Sequence, residues 1–266
     1  MDNEEQEQPA ENLSFWGHLD ALRKVLIRMA IVLAVFMGVA FAYMPEIFDR
    51  FVLAPCHGDF VLYRFFQRIT EGIPWFPKFT MEGFEVKLIN INLATQFFTH
   101  ISSAFWLGLT AAFPVLLYLL WSFVRPALYP KEKRGARIAF LLGSVMFYAG
   151  VAVGYFVVFP ITLRFLYDYQ ISTSIVNQLS LSSYMNNFYL LNLMMGVVFE
   201  LPLLAWTLSA AGVLHRDFFK RYRRHAIVVL LILAAIITPT GDPFTLMVVF
   251  LPIYLLFELS ALLVKR

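Results

Sequence analysis

The chain has 266 residues, of which 60% are hydrophobic and 15% are charged. Soluble domains carry about 25% charged residues, so this composition excludes an ordinary water-soluble enzyme and indicates an integral membrane protein. The formal net charge of +3 is less informative than the positions of the charges. The single cysteine, Cys56, excludes a disulfide within the chain. The acidic residues 1–12 differ from the basic start of a signal peptide and are typical of a short disordered tail.

The apolar segments predict an all-α fold with six transmembrane helices. An amphipathic helix over residues 14–24 is predicted to lie on the cytosolic surface and to run into the first span. Pro160 is expected to end the third span and Pro202 to bend the fourth. The fifth has twelve apolar residues, about 18 Å of helix, which is less than the hydrocarbon core of about 30 Å. The spans are predicted at residues 25–44, 101–124, 138–161, 184–213, 226–237 and 244–264.

Residues 46–100 form the longest polar segment and are rich in aromatic side chains. We expect them to form an aromatic-rich extracytoplasmic cap loop. Partial alternation of apolar and polar residues over Glu85–Asn92 indicates a short strand within it. In the third span, Gly150 and Gly154 form a GxxxG pattern, which allows a neighbouring helix to approach closely.

The distribution of positive charge predicts the orientation. Lys and Arg residues close to the ends of the spans are retained in the cytoplasm. Of the 21 Lys and Arg residues, fifteen fall in segments that this rule places inside, so both termini are predicted to be cytoplasmic. These residues are Arg23, Lys24, Arg28, Arg125, Lys131, Lys133, Arg134, Arg137, Arg216, Lys220, Arg221, Arg223, Arg224, Lys265 and Arg266.

The sequence lacks the patterns of most catalytic sites. We find no phosphate-binding glycine motif, no GxSxG motif and no metal-ligand spacing among the five histidines. We therefore expect neither an enzyme nor a bound cofactor or metal, and no nucleic-acid partner. The informative residues are carboxylates in unusual places, which are Asp20, Glu132, Glu200, Asp242 and Glu258.

Glu132 lies inside a basic segment, Phe123–Gly135, between the second and third spans. Retention of this segment in the cytoplasm does not need a carboxylate, so Glu132 is a candidate acceptor for a cationic ligand. The alternative is a solvated ion pair with Lys131 or Lys133, which would contribute little energy.

Glu200 lies within the fourth predicted span, where an ionised carboxylate costs about 3 kcal/mol. A functional role is therefore favoured over the structural alternatives, which are pairing with another helix and remaining protonated. Glu258 is near the inner end of the sixth span, where a structural role is favoured. Asp242, in the Thr238–Pro243 turn, is typical of a turn or cap residue.

Several motifs in order resemble the TatC family, the C subunit of the twin-arginine protein translocase. His18–Lys24 resembles the family's N-terminal signature, although Ala21 stands where the family has Glu and Asp20 is its neighbour. The Phe123–Gly135 segment resembles the family's first cytosolic loop. Further similar motifs are Tyr155–Pro160, Phe199–Pro202, Thr238–Asp242 and Pro252–Glu258, and together they extend over nearly the whole chain.

The resemblance implies a concave six-helix bundle in the bacterial cytoplasmic membrane. It implies a receptor for signal peptides with paired arginines, on proteins exported in the folded state with the proton-motive force. The implied partners are single-span subunits of the TatA/TatB type, further copies of the receptor and membrane lipid. The family's signal-binding glutamates fall on Glu132 and Glu200, with Phe123, Arg23 and Asp20 nearby.

The short fifth helix is predicted to dock the span of a partner subunit. Because twelve apolar residues cannot cross a bilayer of normal thickness, the turn after this helix is expected to lie below the outer surface. The bilayer must then be thinner there, or another helix must cover the polar turn. Val229 and Leu233 are the candidate docking residues. Thr238, Pro239, Asp242 and Glu258 are candidate docking or structural polar sites.

Two other functions are compatible with the residues alone. One is a proton-coupled small-solute transporter with Glu200 as the proton site, although we find no internal repeat of the kind that transporters show. The other is a purely structural membrane scaffold.

Overall fold

The computed structural model describes residues 15–70, 84–124, 130–172, 174–175, 177–210, 212 and 214–264. This part of the chain is an all-α membrane protein. Its helices are α1 (Phe15–Ala42), α2 (Met44–Ile47), α3 (Val61–Thr70), α4 (Thr95–Val124), α5 (Pro130–Val153), α6 (Phe159–Asp168), α7 (Leu181–Val198), α8 (Leu201–Ala210), α9 (Arg216–Arg221), α10 (Arg223–Ile237) and α11 (Pro243–Leu263). Its strands are β1 (Leu88–Ile89) and β2 (Leu179–Ser180).

Five of the described helical segments are long and apolar enough to cross a membrane. Helix α10, with 15 residues, measures about 22 Å and is shorter than these. The five segments are Leu19–Ala42, Thr95–Phe123, Phe140–Asp168, Leu181–Ser209 and Pro243–Leu262.

Helix α1 combines the predicted amphipathic helix and the first predicted span in one element. It packs along α4, where Gly108 allows the two backbones to approach closely. A Cβ atom added at Gly108 would lie 2.8 Å from the backbone nitrogen of Met37. Small residues at a helix interface permit this kind of packing within a membrane.

Helix α5 begins at Pro130, earlier than the predicted span at 138–161. Proline is favoured at the first helical position, because its missing N–H would have no partner there. The sequence had suggested that residues 130–135 belong to a loop. In the structure they are helical.

The prediction that Pro160 ends the third span was wrong. The helix continues from α5 through a π-helical turn, Gly154–Val158, into α6, which extends to Asp168. A π turn interrupts the regular hydrogen-bond ladder. Because Pro160 is the second residue of α6, its missing N–H falls where that ladder is already disturbed, and the chain does not need to leave the helix.

The predicted fourth span, 184–213, is divided into two helices. Helix α7 ends at Val198 and α8 begins at Leu201, with Pro202 in its first turn. Proline lacks the N–H that would bond the carbonyl one turn earlier, which explains a break just before it. The break places Phe199 and Glu200 between the two helices.

Glycines bring α5 and α7 into close contact. A Cβ atom added at Gly150 would lie 2.8 Å from the Cα atom of Gly196 in α7. A Cβ atom at Gly154 would lie 2.9 Å from the Cα atom of Asn192. The GxxxG pattern therefore faces α7, and the largest cluster of buried apolar residues surrounds this contact and extends to α10 and α11.

The described part of the predicted cap loop, residues 46–70 and 84–100, is held to the helix ends by tyrosine hydroxyls. Tyr155 donates to the carbonyl of Phe51 at 2.8 Å, and Tyr184 donates to the carbonyl of Val52. Tyr63 donates to the carbonyl of Pro160 at 3.2 Å. The predicted short strand is β1, which pairs in parallel with β2. The aromatic residues within 71–83 lie outside the described residues.

We expect Gly150→Ala to destabilise the protein, because the added methyl group meets backbone atoms of α7 that cannot move independently. Overpacking of this kind costs about 1–3 kcal/mol. Gly38→Ala is the matched control, since a Cβ atom at Gly38 meets nothing within 4 Å. Thermal unfolding of the purified proteins in detergent measures the difference. Equal melting temperatures for the two variants would contradict the close α5–α7 contact.

Candidate functional site

The break between α7 and α8 determines where Glu200 lies. The amide of Glu200 bonds the carbonyl of Val197 at 3.1 Å, a tighter turn than an α-helix makes. The carbonyl of Glu200 then accepts from the amide of Leu204 at 2.9 Å, which starts α8. Glu200 is therefore held at a bend within an otherwise apolar stretch, and its side chain is half-buried.

The carboxyl group of Glu200 lies next to Gly143 of α5, and side chains of α8 and α4 come close to the same point. A Cβ atom added at Gly143 of α5 would lie 3.1 Å from Oε2 of Glu200, 3.0 Å from Leu203 of α8 and 3.3 Å from Leu117 of α4. Oε1 of Glu200 is buried and has no hydrogen-bond partner among the described residues. Buried polar oxygen atoms are normally bonded, so this oxygen retains the capacity to accept a hydrogen bond.

An apolar cavity of about 170 Å³ lies further along the same helices. Its lining includes Thr110 of α4, Val151 of α5 and Leu193 of α7. The stacked rings of Phe113 and Phe147, 3.6 Å apart, lie between this cavity and Glu200. The arrangement therefore places an acidic group at one level of the bundle and an apolar space beyond it.

Glu132 is the third residue of α5, and its side chain lies outside the described residues. The start of a helix carries partial positive charge, which stabilises a carboxylate in the first turn. Phe123, at the end of α4, is half-buried. The backbone thus brings the ends of α4 and α5 together around the predicted site, since only residues 125–129 separate the two helices.

Asp20 and Arg23 lie near the start of α1 and are both exposed. Asp20 forms an ion pair with Lys24 at 2.8 Å, one helical turn along. Exposed pairs of this kind are weak, so Asp20 remains available to another cation.

The turn between α10 and α11 uses its polar residues structurally. Asp242 caps α11, accepting from the amide of Thr245 at 2.7 Å and from the hydroxyl of Thr240 at 2.6 Å. Partial burial alone would raise the pKa of Asp242, but these hydrogen bonds outweigh it and the pKa lies below its ordinary value. Thr238 is buried and donates to the carbonyl of Ala234, whereas Pro239 is exposed.

Glu258 joins α11 to α10 near their other ends. Nη2 of Arg223 lies 2.6 Å from Oε1 of Glu258 and donates to the hydroxyl of Tyr254 at 3.0 Å. The sequence reasoning did not identify Arg223 as the partner, because the pairing depends on the register of the two helices.

The predicted docking residues of α10 differ in exposure. Val229 is 61% exposed, and it shares one face with Val228, Ile232 and Ile236, which are also exposed. Leu233 is half-buried and packs against the main core. The exposed face of α10 is therefore centred on Val229 and Ile232.

The residues that line the Glu200 carboxyl group were not predicted. Gly143, Leu117 and Leu203 are ordinary residues of apolar segments, and no pattern distinguishes them from others of their kind. Within the described ranges, His, Cys, Asp and Glu form no group of three that could hold a metal ion.

A cysteine at position 200 should react with a small water-soluble thiol reagent added from the side of the membrane that carries Phe123 and Pro130. The physical reason is that the side chain of Glu200 is only half-buried and lies next to Gly143, between the apolar cavity and the end of the bundle that carries Phe123 and Pro130. The native Cys56 is 2% exposed, and burial raises its pKa to about 11, so the reactive thiolate is scarce near neutral pH. The wild-type protein is therefore an unlabelled control. Labelling only from the opposite side, or none at all, would contradict this placement.

Comparison with known proteins agrees with the motifs. A family model described as Sec-independent protein translocase protein (TatC) matches residues 17–252. A protein of that name from Blattabacterium is 31% identical over 261 residues, with 98% of this chain and 96% of the relative covered. One from Deinococcus radiodurans is 34% identical over 249 residues, with 93% and 84% covered.

Solved structures show the same fold. A crystal structure of the twin-arginine translocase receptor TatC matches with a TM-score of 0.71 at 30% identity, covering 92% of this chain and 97% of that one. A second, in the detergent DDM, matches with a TM-score of 0.72 at 29% identity, covering 94% and 100%. The chain therefore belongs to the TatC family of Sec-independent protein translocase proteins.

Proposed function

We propose that the chain is the receptor and core subunit of a twin-arginine translocase. It receives the signal peptides of folded cargo proteins and supports their export with the proton-motive force. The observation that carries the proposal is the Glu200 carboxyl group at a helix break. Its Oε1 has no hydrogen-bond partner among the described residues, and an apolar cavity lies further along the same helices. Family membership favours this function over a small-solute transporter or a passive scaffold, and nothing in it calls for an enzyme.

Two carboxylates fit a ligand that carries two adjacent arginines. Arginine is always charged and offers a planar fork that bonds a carboxylate through two nitrogens, which lysine cannot reproduce. Glu132, in the first turn of α5, is the proposed first acceptor. The surrounding Lys131, Lys133 and Arg134 disfavour a ligand with diffuse positive charge and so add selectivity.

Glu200 is proposed to act after first contact. It supports the inserted part of the signal peptide or a second arginine, while the apolar segment of the peptide lies along the spans. The 170 Å³ cavity beyond Phe113 and Phe147 has the apolar lining that such a segment requires. Arg23 and Asp20, both exposed on α1, are proposed to border the site of first contact.

The proposed setting is the bacterial cytoplasmic membrane, with six spans and both termini in the cytoplasm. The support is the concentration of Lys and Arg at one set of helix ends. The sidedness of labelling at position 200 tests this orientation as well. Single-span subunits of the TatA/TatB type and further copies of this chain are the proposed partners.

Substitutions at the two glutamates should separate first contact from insertion. Glu132→Gln keeps the size and removes the charge, so binding of a twin-arginine peptide should fall by about 2–5 kcal/mol, the cost of losing a charge-assisted pair. Glu200→Ala should leave this binding largely intact and reduce insertion and transport. Peptide binding and transport into membrane vesicles measure the two steps. Normal binding by a folded Glu132→Gln variant would favour the surface ion pair instead.

The exposed face of α10 is proposed to dock the span of a partner subunit, because this helix is too short to cross a normal bilayer alone. Cysteines at Val229 and Ile232 should crosslink to a single-span subunit, whereas one at Leu233, which packs against the core, should crosslink less. A cysteine at the buried Ala234 is the matched control. Crosslinks only to lipid or to a second copy would contradict this docking face.

A further inference from the structure

We propose that Gly143 is a positioning residue for Glu200, and that its missing side chain forms the notch in which the carboxyl group rests. This inference depends on the proposed function of Glu200 and adds a residue to it. Gly143 lies in α5, far from Glu200 in sequence, and is buried. Nothing in the chemistry of a glycine side chain can act on a ligand, so its effect must come from the space that it leaves.

The geometry of the notch is specific to this position. A Cβ atom at Gly143 would lie 3.1 Å from Oε2 of Glu200, a tighter contact than most real Cβ atoms make. The other nearest atoms are methyl groups of Leu203 and Leu117, at 3.0 and 3.3 Å. The three nearest atoms are therefore the ends of flexible side chains, and none of the three is a backbone atom.

This difference separates Gly143 from the packing glycines of the same helix. At Gly150 an added methyl group would meet backbone atoms of α7, so the helices themselves would have to move. At Gly143 the carboxyl group can be displaced while the helices stay in place. Gly143 therefore controls where the acidic group lies, whereas Gly150 controls how closely the helices pack.

The space at Gly143 matters because few other contacts fix the position of the Glu200 carboxyl group. Glu200 Oε1 has no hydrogen-bond partner among the described residues, so none of these residues anchors this oxygen by a hydrogen bond. Shape then supplies the positioning, through Gly143 on one side and the two leucines beside it. Binding sites that depend on a defined geometry lose affinity when the supporting residues shift.

The test compares Gly143→Ala, Glu200→Asp and the double variant with the wild type. Full-length protein in membrane vesicles receives a twin-arginine precursor that carries a photo-crosslinker in the apolar segment of its signal peptide. Crosslinking to the spans reports insertion, peptide binding reports first contact, and melting temperature reports folding. Gly38→Ala is the matched control, because a Cβ atom there meets nothing within 4 Å.

We expect Gly143→Ala to lose insertion several-fold with first contact and melting temperature unchanged. The shorter side chain of Glu200→Asp withdraws the carboxyl group from the added methyl group. Gly143→Ala should therefore cause a smaller loss in the Glu200→Asp background than in the wild type, which is the coupling expected of residues in contact. If Gly143→Ala also lowers the melting temperature, the double variant decides. Recovery of both insertion and melting temperature in the double variant supports the inference, and recovery of neither overturns it.

Other outcomes overturn the inference. Insertion by Gly143→Ala at the wild-type level would overturn it. So would a loss of insertion in the double variant that equals the sum of the losses caused by Gly143→Ala and Glu200→Asp separately. A further double variant combines Gly143→Ala with Leu203→Ala. If Leu203→Ala restores insertion to Gly143→Ala and Glu200→Asp does not, the added methyl group acts by crowding Leu203 and not Glu200. A Glu200→Ala variant that inserts normally would refute the proposed role of Glu200 itself. Impairment of Glu200→Ala together with normal insertion by Gly143→Ala would refute the positioning role alone.

Discussion

The close contact of α5 with α7 is the constraint on which the rest of the structure depends. Gly150, Gly154 and Gly196 remove the side chains that would otherwise hold the two backbones apart. Within a membrane there is no hydrophobic driving force between apolar helices, so tight packing of this kind supplies much of the association energy. The contact also fixes the register of α5 against α7, and through it the height at which Gly143 meets Glu200.

The fourth predicted span combines two features that each carry an energetic cost. Its helix is interrupted before Pro202, and it holds a carboxyl group in apolar surroundings. The break is tolerated because short i to i−3 and i to i−4 bonds still satisfy the amides of Phe199, Glu200 and Leu204. A carboxyl group at such a bend, with an apolar cavity further along the same helices, fits the proposed receptor, which accepts a charged and an apolar part of one peptide.

The two ends of the bundle are stabilised differently. At one end, the hydroxyls of Tyr155 and Tyr184 bond carbonyls of the π-helical turn Phe48–Val52, and the hydroxyl of Tyr63 bonds the carbonyl of Pro160 in α6. At the far end of the α10–α11 hairpin, an ion pair between Arg223 and Glu258 joins the helices. The short α10 is thus held on one side by packing, while its opposite face remains exposed.

The sequence by itself determined the class of protein, the apolar segments and the family. Several uncharged runs of about 20 residues in one short chain indicate burial in lipid, and linked motifs such as Phe199–Pro202 are local patterns that a single chain displays. It also located Glu200 as unusual, because a carboxyl group in an apolar run is visible without a structure. Tertiary structure alone decided that the helix continues through Pro160, that Glu258 pairs with Arg223, and that Leu233 is less exposed than Val229. It alone placed Gly143 under the Glu200 carboxyl group. These features depend on the rotation and register of one helix against another, which are set by the sum of many weak packing contacts between residues distant in sequence.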